Sequence, residues 1–199
     1  MRNSAKILSE WARKMLEKEY KFLLTREQYD ALKEYFQWNN TFEQFNYYYN
    51  DMDDYIYNNN ITVRIRERNG KFKLQTKMNV YNNGALAIKE EKELDVDGAY
   101  ALIQPEILKN MIGYMCRDIH KVGVLKTYRD VCTKFQNVEI CLDMNEYLSI
   151  VDYELEIEYT SENGADSMLR QMVKKFGLQL EKKTEGKNSR FFHELKHFC

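Results

Sequence analysis

The residues best suited to chemistry in this chain are charged, and they recur with a period of two. Thr62, Arg64, Arg66 and Arg68 alternate with Val63 and Ile65, and Lys71, Lys73, Gln75 and Lys77 alternate with Phe72 and Leu74. Asp152, Glu154, Glu156 and Glu158 alternate with Val151, Tyr153, Leu155, Ile157 and Tyr159. A shorter mixed row, Glu17, Glu19 and Lys21, alternates with Lys18, Tyr20, Phe22 and Leu24. On a β-strand, this spacing puts each row on one face. A solvated outer face would explain a single row, but exposed sheets usually mix signs, because like charges on adjacent strands repel. Two cationic rows side by side call for an anion. Arg and Lys grip phosphate oxygens, and carboxylates at i, i+2 converge on a hard cation such as Mg²⁺ or Mn²⁺ that bridges to phosphate. The rows contain no Cys or His, which argues against zinc. The implied ligand is a polyphosphate with divalent metal.

The elements that must carry these rows are mostly strands. Period-two alternation predicts them at Glu17–Leu24, Thr41–Asn50, Ile61–Arg68, Lys71–Met78, Leu86–Leu94, Val122–Thr133, Phe135–Asp143 and Leu148–Thr160. Asn69 and Gly70 form a two-residue hairpin signal that ties the Arg row to the Lys row. Helical spacing predicts a short amphipathic helix over Ser4–Leu16, carrying Ile7, Leu8, Trp11 and Met15. Thr25 and Gln28 make a capping box that opens a helix running to about Phe36. Further helices are predicted at Pro105–Met115, about Asp166–Phe176 and Ser189–Phe198. Eight strands in meander order with few helices imply an α+β chain whose sheet is an antiparallel barrel or strongly curved. A closed sheet would bring acidic rows from distant segments to face the basic rows across a cavity.

Composition fits one domain over residues 1–199 and excludes several classes. Apolar residues at 44% allow a packed core, and the single Pro leaves no linker. Lys+Arg at 30 nearly cancel Asp+Glu at 31, so no global field draws nucleic acid. Cys116, Cys132, Cys141 and Cys199 form no C-x-x-C pair, and His120, His193 and His197 lack zinc-ligand spacing. No apolar run reaches the length of a membrane span and no signal-peptide core follows Met1, so the expected compartment is a reducing cytoplasm, with no membrane partner.

Leu16 to Phe22 contains Glu17-x-Glu19-x-Lys21, which resembles the signature of the CYTH superfamily, also called triphosphate tunnel metalloenzymes. Further resemblances follow in family order. Tyr47 to Asp51 looks like the aromatic-aromatic-Asp strand end, and Val63 to Arg66 like the Arg-x-Arg strand. Leu74 to Lys77 resembles a Leu-Thr-x-Lys pattern, with Gln75 and Thr76 in place of its commoner order. Leu125 to Arg129, Leu142-Asp143, Asp152 to Glu158 and Lys187 to Arg190 look like the family's later strands and C-terminal basic segment. The likeness is to the bacterial branch loosely called adenylate cyclases. It implies an α+β fold, an eight-stranded antiparallel β-barrel forming a tunnel and flanked by helices, and members include inorganic triphosphatases, thiamine triphosphatases and one class of adenylate cyclase.

On that resemblance, Glu17, Glu19, Glu156 and Glu158 would hold Mg²⁺ or Mn²⁺, with Glu154 on the same face as a replacement for one of them and Asp143 ligating through water or orienting a basic residue. Lys21, Arg64, Arg66, Lys77 and Arg129 would neutralise a triphosphate, with Lys73 and Arg68 at strand ends and Lys187 and Arg190 closing over it. Lys21, Glu19 and Glu156 would carry the chemistry, and Glu19→Ala or Glu156→Ala would abolish activity with folding retained. The run Lys89 to Glu93 is ambiguous, read as solvated by default with Glu91 or Glu93 facing inward as the alternative; the histidines read as non-catalytic, and Trp11, Trp38 and the tyrosines as packing groups. The expected function is hydrolysis of a small-molecule triphosphate by a monomer or homodimer. The alternatives are cyclisation of ATP, non-catalytic polyphosphate sensing and a charged scaffold.

Overall fold

The computed structural model describes residues 13–115, 117–160 and 162–198. The strands are β1 (Arg13–Leu24), β2 (Asn40–Asn50), β3 (Ile61–Arg68), β4 (Lys71–Asn83), β5 (Leu86–Val96), β6 (Leu102–Ile103), β7 (Ile119–Phe135), β8 (Val138–Tyr147) and β9 (Ile150–Tyr159). The helices are α1 (Arg26–Tyr35), α2 (Tyr55–Asn58), α3 (Pro105–Ile112), α4 (Glu162–Phe176) and α5 (Lys187–Phe198). Strand order is β2-β3-β4-β5-β1-β9-β8-β7, and β2 pairs back onto β7, closing an eight-stranded antiparallel barrel. β6 adds two residues at the β7 edge.

Local chemistry sets the joints. Asn69 and Gly70 both take positive φ, 53° and 71°, as a tight turn matched to strand twist requires. The expected capping box is present: the Thr25 hydroxyl accepts from Gln28 N, and the Gln28 side chain accepts from Thr25 N. α3 starts on Pro105 and stops at Gly113, whose φ of 77° suits a residue without Cβ.

Several boundaries differ from the sequence reading. Of the helix expected over Ser4–Leu16, most lies outside the described residues, and Arg13 to Leu16 are strand, paired with Glu93 to Glu90 of β5. Pairing with β5 along one edge overrides helical spacing there. Leu148 and Ser149, expected in a strand, form the β8–β9 turn with φ of 45° and 67°. Phe135 ends β7 instead of opening β8, and α2 and β6 were not anticipated.

The barrel's outside is apolar, covered by helices. Phe22, Leu24, Leu142, Leu155 and Ile157 pack with Tyr29 and Leu32 of α1 and Leu169 and Met172 of α4. Val63, Ile65 and Leu74 pack with Leu108 and Met111 of α3. α5 differs, because its Phe191 and Phe192 lie with Tyr48, Leu125 and Tyr147 in a third cluster. The close seat of Phe191 requires Gly123, where a Cβ would come within 2.6 Å of its ring. With both sheet flanks claimed by apolar packing, the charged faces of the strands turn inward.

Candidate active site

The interior is a cavity of about 1320 Å³, larger than a typical small-ligand pocket and roomy enough for a polyanion with ions and water. Around the wall, the charge changes by strand. β3 brings Arg64 and Arg66, β4 brings Gln75 and Lys77, β5 brings Lys89 and Glu91, β1 brings Glu17 and Lys21, β9 brings Glu156 and Glu158, and β7 brings Arg129.

One side of this interior is saturated with ion pairs. Asp143, Glu154 and Glu156 offer oxygens within 4.8 Å of one another, all buried. Arg129 donates to both oxygens of Asp143 at 2.7 and 2.6 Å, and also to Glu156. Lys187 pairs with Asp143 at 2.8 Å and Glu156 at 2.9 Å, and with Glu154. Lys21 adds Glu156 at 2.8 Å, Glu19 at 3.3 Å and Glu154 at 3.5 Å. Arg190 holds Glu154 and Asp152, each at 2.8 Å. Burial alone would push Glu156 up, yet Lys187, Lys21 and Arg129 hold it well below the usual carboxylate range. Asp143 is likewise lowered against its burial by Arg129 and Lys187.

The other side is less balanced. Glu17, Glu19 and Glu158 also bring oxygens within 4.8 Å of one another. Lys77 pairs with Glu17 at 2.6 Å and Glu91 at 3.2 Å, and Lys89 pairs with Glu19. Burial pushes Glu19 up, but Lys21 and Lys89 hold it at about 2. Glu158 has no ion-pair partner among the described residues, and burial plus the charges of Glu17 and Glu156 push it up to about 8. On β3, Arg64 Nε donates to Gln75 at 2.9 Å and Arg66 Nε to Asn46 at 3.0 Å; neither meets a carboxylate among the described residues. Burial, then the charges of Arg64 and Arg129, depress Arg66 to about 9.

A family comparison decides what this barrel is: the CYTH domain matches residues 15–192. The chain belongs to the CYTH domain family. No curated protein matches the sequence. Among solved structures, a Bacillus halodurans protein provisionally named an adenylate cyclase is 24% identical over 90% of this chain and 98% of that one, with TM-score 0.70. A Hippeastrum protein described as revealing a dominant triphosphatase activity is 21% identical over 89% and 95%, with TM-score 0.74. The RNA triphosphatase domain of a mimivirus mRNA capping enzyme is 12% identical over 88% and 96%, with TM-score 0.53. At these identities the likeness is one of fold.

Within this CYTH barrel, the residues singled out by sequence divide unequally. Lys21, Asp143, Glu154, Glu156, Arg129, Lys187 and Arg190 meet in the saturated cluster, with Glu19 touching it through Lys21. Glu17, Glu158 and Lys77 gather beside it, and Arg64 and Arg66 stand on the cationic wall. Lys73 is 44% exposed and pairs with Glu93 at 2.6 Å. Arg68 lies 4.4 Å over the Phe42 ring.

Three residues read as solvated face the interior instead: Lys89 on Glu19, Glu91 on Lys77 and Glu93 on Lys73 and Gln75. Charges fill both faces of that run, so only the register with β4 and β1 shows which face is inside. Also missed were the neutral residues Gln44, Asn46 and Tyr48 of β2, which carry no charge signal. Among the described residues, no helix is long and apolar enough to cross a membrane.

Proposed function

We propose that the protein is a divalent-metal-dependent triphosphatase that holds its substrate across the barrel interior. One observation carries this reading: Glu158, which has no ion-pair partner among the described residues, lies beside Glu17 and Glu19 and shares a cavity with Arg64 and Arg66, which lack anionic partners among those residues. The Hippeastrum relative's triphosphatase activity points the same way.

Three carboxylates converging without nitrogen or sulfur fit a hard cation, so Glu17, Glu19 and Glu158 would hold Mg²⁺ or Mn²⁺. Such an ion supplies charge neutralisation on the phosphoryl oxygens and an acidified water. Arg64, Arg66 and Lys77 bind and orient the phosphates. Lys21 links Glu19 to Glu156 and fixes the carboxylate row. Asp143, Glu154 and Glu156 form a second candidate metal trio, but four cations already satisfy it, so Arg129, Lys187 and Arg190 here act chiefly as positioning residues.

Phosphate release from tripolyphosphate, ATP and thiamine triphosphate, with Mg²⁺, Mn²⁺ or EDTA, tests the proposal. Release that requires metal is expected, and equal turnover in excess EDTA would refute it. A second reading, cyclisation of ATP, draws on Tyr55 and Tyr114, which stack at 3.7 Å and line the cavity as an aromatic platform. Chromatography of the products from ATP separates cyclic nucleotide from phosphate.

A further inference from the structure

Strand β2 directs Gln44, Asn46 and Tyr48 to one face at i, i+2 spacing, between aromatic residues that point the other way. All three are essentially buried, at 1%, 0% and 0% exposure. Among the described residues, the Gln44 Nε2, Asn46 Nδ2 and Tyr48 hydroxyl have no hydrogen-bond partner, and neither does the neighbouring Arg64 Nη2. The Asn46 amide orientation is fixed, because its Oδ1 accepts from Arg66 Nε. Gln44, Tyr48 and Arg64 line the cavity, and cross-strand register sets Tyr48 beside Arg64 and Asn46 beside Arg66. Buried donors without acceptors are rare in folded proteins and are costly to leave so. Four on adjacent strands describe the negative image of a group rich in acceptor oxygens. In barrel order, β2 is diametrically opposite β1, which carries Glu17 and Glu19.

We propose that Gln44, Asn46 and Tyr48, with Arg64 Nη2, form a phosphoryl-oxygen seat that grips the end of a polyphosphate remote from the carboxylates, and so selects a triphosphate over a diphosphate. The proposal rests on the reading of the site as a triphosphate site. Neutral donors suit this wall because a third cation beside Arg64 and Arg66 would add repulsion, whereas an amide or hydroxyl adds a bond without charge. A diphosphate held at the carboxylate side cannot reach these donors as well.

The test uses the full chain with Gln44→Met and Tyr48→Phe, which remove donors at nearly constant volume. Calorimetry with inorganic tripolyphosphate and pyrophosphate in the presence of Mn²⁺ reads the seat, and phosphate release reads the reaction. Each substitution is expected to weaken tripolyphosphate binding about tenfold, the loss of one hydrogen bond to a charged acceptor. Pyrophosphate binding should stay unchanged, and the melting temperature of the free protein should hold or rise, because an unpaired donor is removed. A merely structural role would lower that melting temperature instead. Unchanged tripolyphosphate affinity, or equal losses for both ligands, overturns the seat. Binding that follows the expected pattern without any phosphate release leaves the seat standing and refutes the triphosphatase. No tripolyphosphate binding by the unmodified protein refutes both.

Discussion

Two regions of one barrel interior are built from the same residue types and end in opposite electrostatic states. Around Asp143, Glu154 and Glu156, four cations occupy nearly every carboxylate oxygen, and they hold Asp143 and Glu156 below the usual carboxylate range. Around Glu158 and across to Arg64 and Arg66, like charges face each other, which pushes Glu158 up and Arg66 down. A closed ion cluster fixes geometry, while an open one stores a demand that a ligand of the missing sign satisfies. On the proposed function, substrate and metal fall to the second region.

The contrast is sharpest in stability. Asp143→Ala would leave Arg129 and Lys187, both buried, short of their main acceptor. Removing one partner of a buried pair costs about 3–5 kcal/mol, and urea unfolding should show a loss of that size. By the same logic Glu156→Ala, expected from sequence to leave folding intact, should destabilise as well, since three cations converge on it. If both variants unfold at the same urea concentration as the unmodified protein, the closed cluster has no structural role.

Next in size is Arg66→Met, on the open side. Losing a preorganised cation that meets developing phosphate charge lowers turnover about a hundredfold, measured as metal-dependent phosphate release. Its urea midpoint should fall less than that of Asp143→Ala, because Arg66 has no ion pair to break among the described residues, is repelled by Arg64 and Arg129, and loses only its hydrogen bond to Asn46. A large stability loss without an activity loss would invert the assignment of the two regions.

How far the sequence foretold these regions depends on what each residue signals. Alternation placed Arg64, Arg66, Glu156 and Glu158 on inward faces, because apolar partners on the same strands had to meet helices. Alternation is silent on who pairs with whom. That Lys187 and Arg190 are spent on Asp143, Glu154 and Asp152 follows from where α5 docks, which Phe191 against Gly123 decides. Lys89, Glu91 and Glu93 were illegible because both faces of their strand are charged, and Gln44, Asn46 and Tyr48 because neutral donors among aromatics resemble core.

Glu158→Gln also probes the open region, and the size of its effect depends on pH. The folded chain keeps the Glu158 proton up to about 8, above the ordinary 4.5. Between those values the unfolded chain has released a proton that the folded chain retains, so metal-free stability falls as pH rises from about 4.5 to 8. The Gln variant escapes that loss. At pH 8 without metal it should be more stable than the unmodified protein, and the two should converge at pH 4.5. Added Mn²⁺ should raise the melting temperature of the unmodified protein only. A variant less stable at pH 8 would mean that Glu158 already has its charge compensated.

The smallest effect belongs to Lys73, and it tests where the open region ends. Lys73 shares the inward face of β4 with Lys77, but it is 44% exposed and paired with Glu93, whereas Lys77 is 14% exposed and lies between Glu17 and Glu91. A charge at the rim is screened by water and contributes about 1 kcal/mol or less. Lys73→Met should therefore change kcat/KM for tripolyphosphate by no more than about fivefold, and increasing salt should erase the difference. Lys77→Met should cost far more at any ionic strength. Equal losses for the two lysines would extend the substrate path outward to Lys73, and the ligand would then be a chain longer than the interior can enclose.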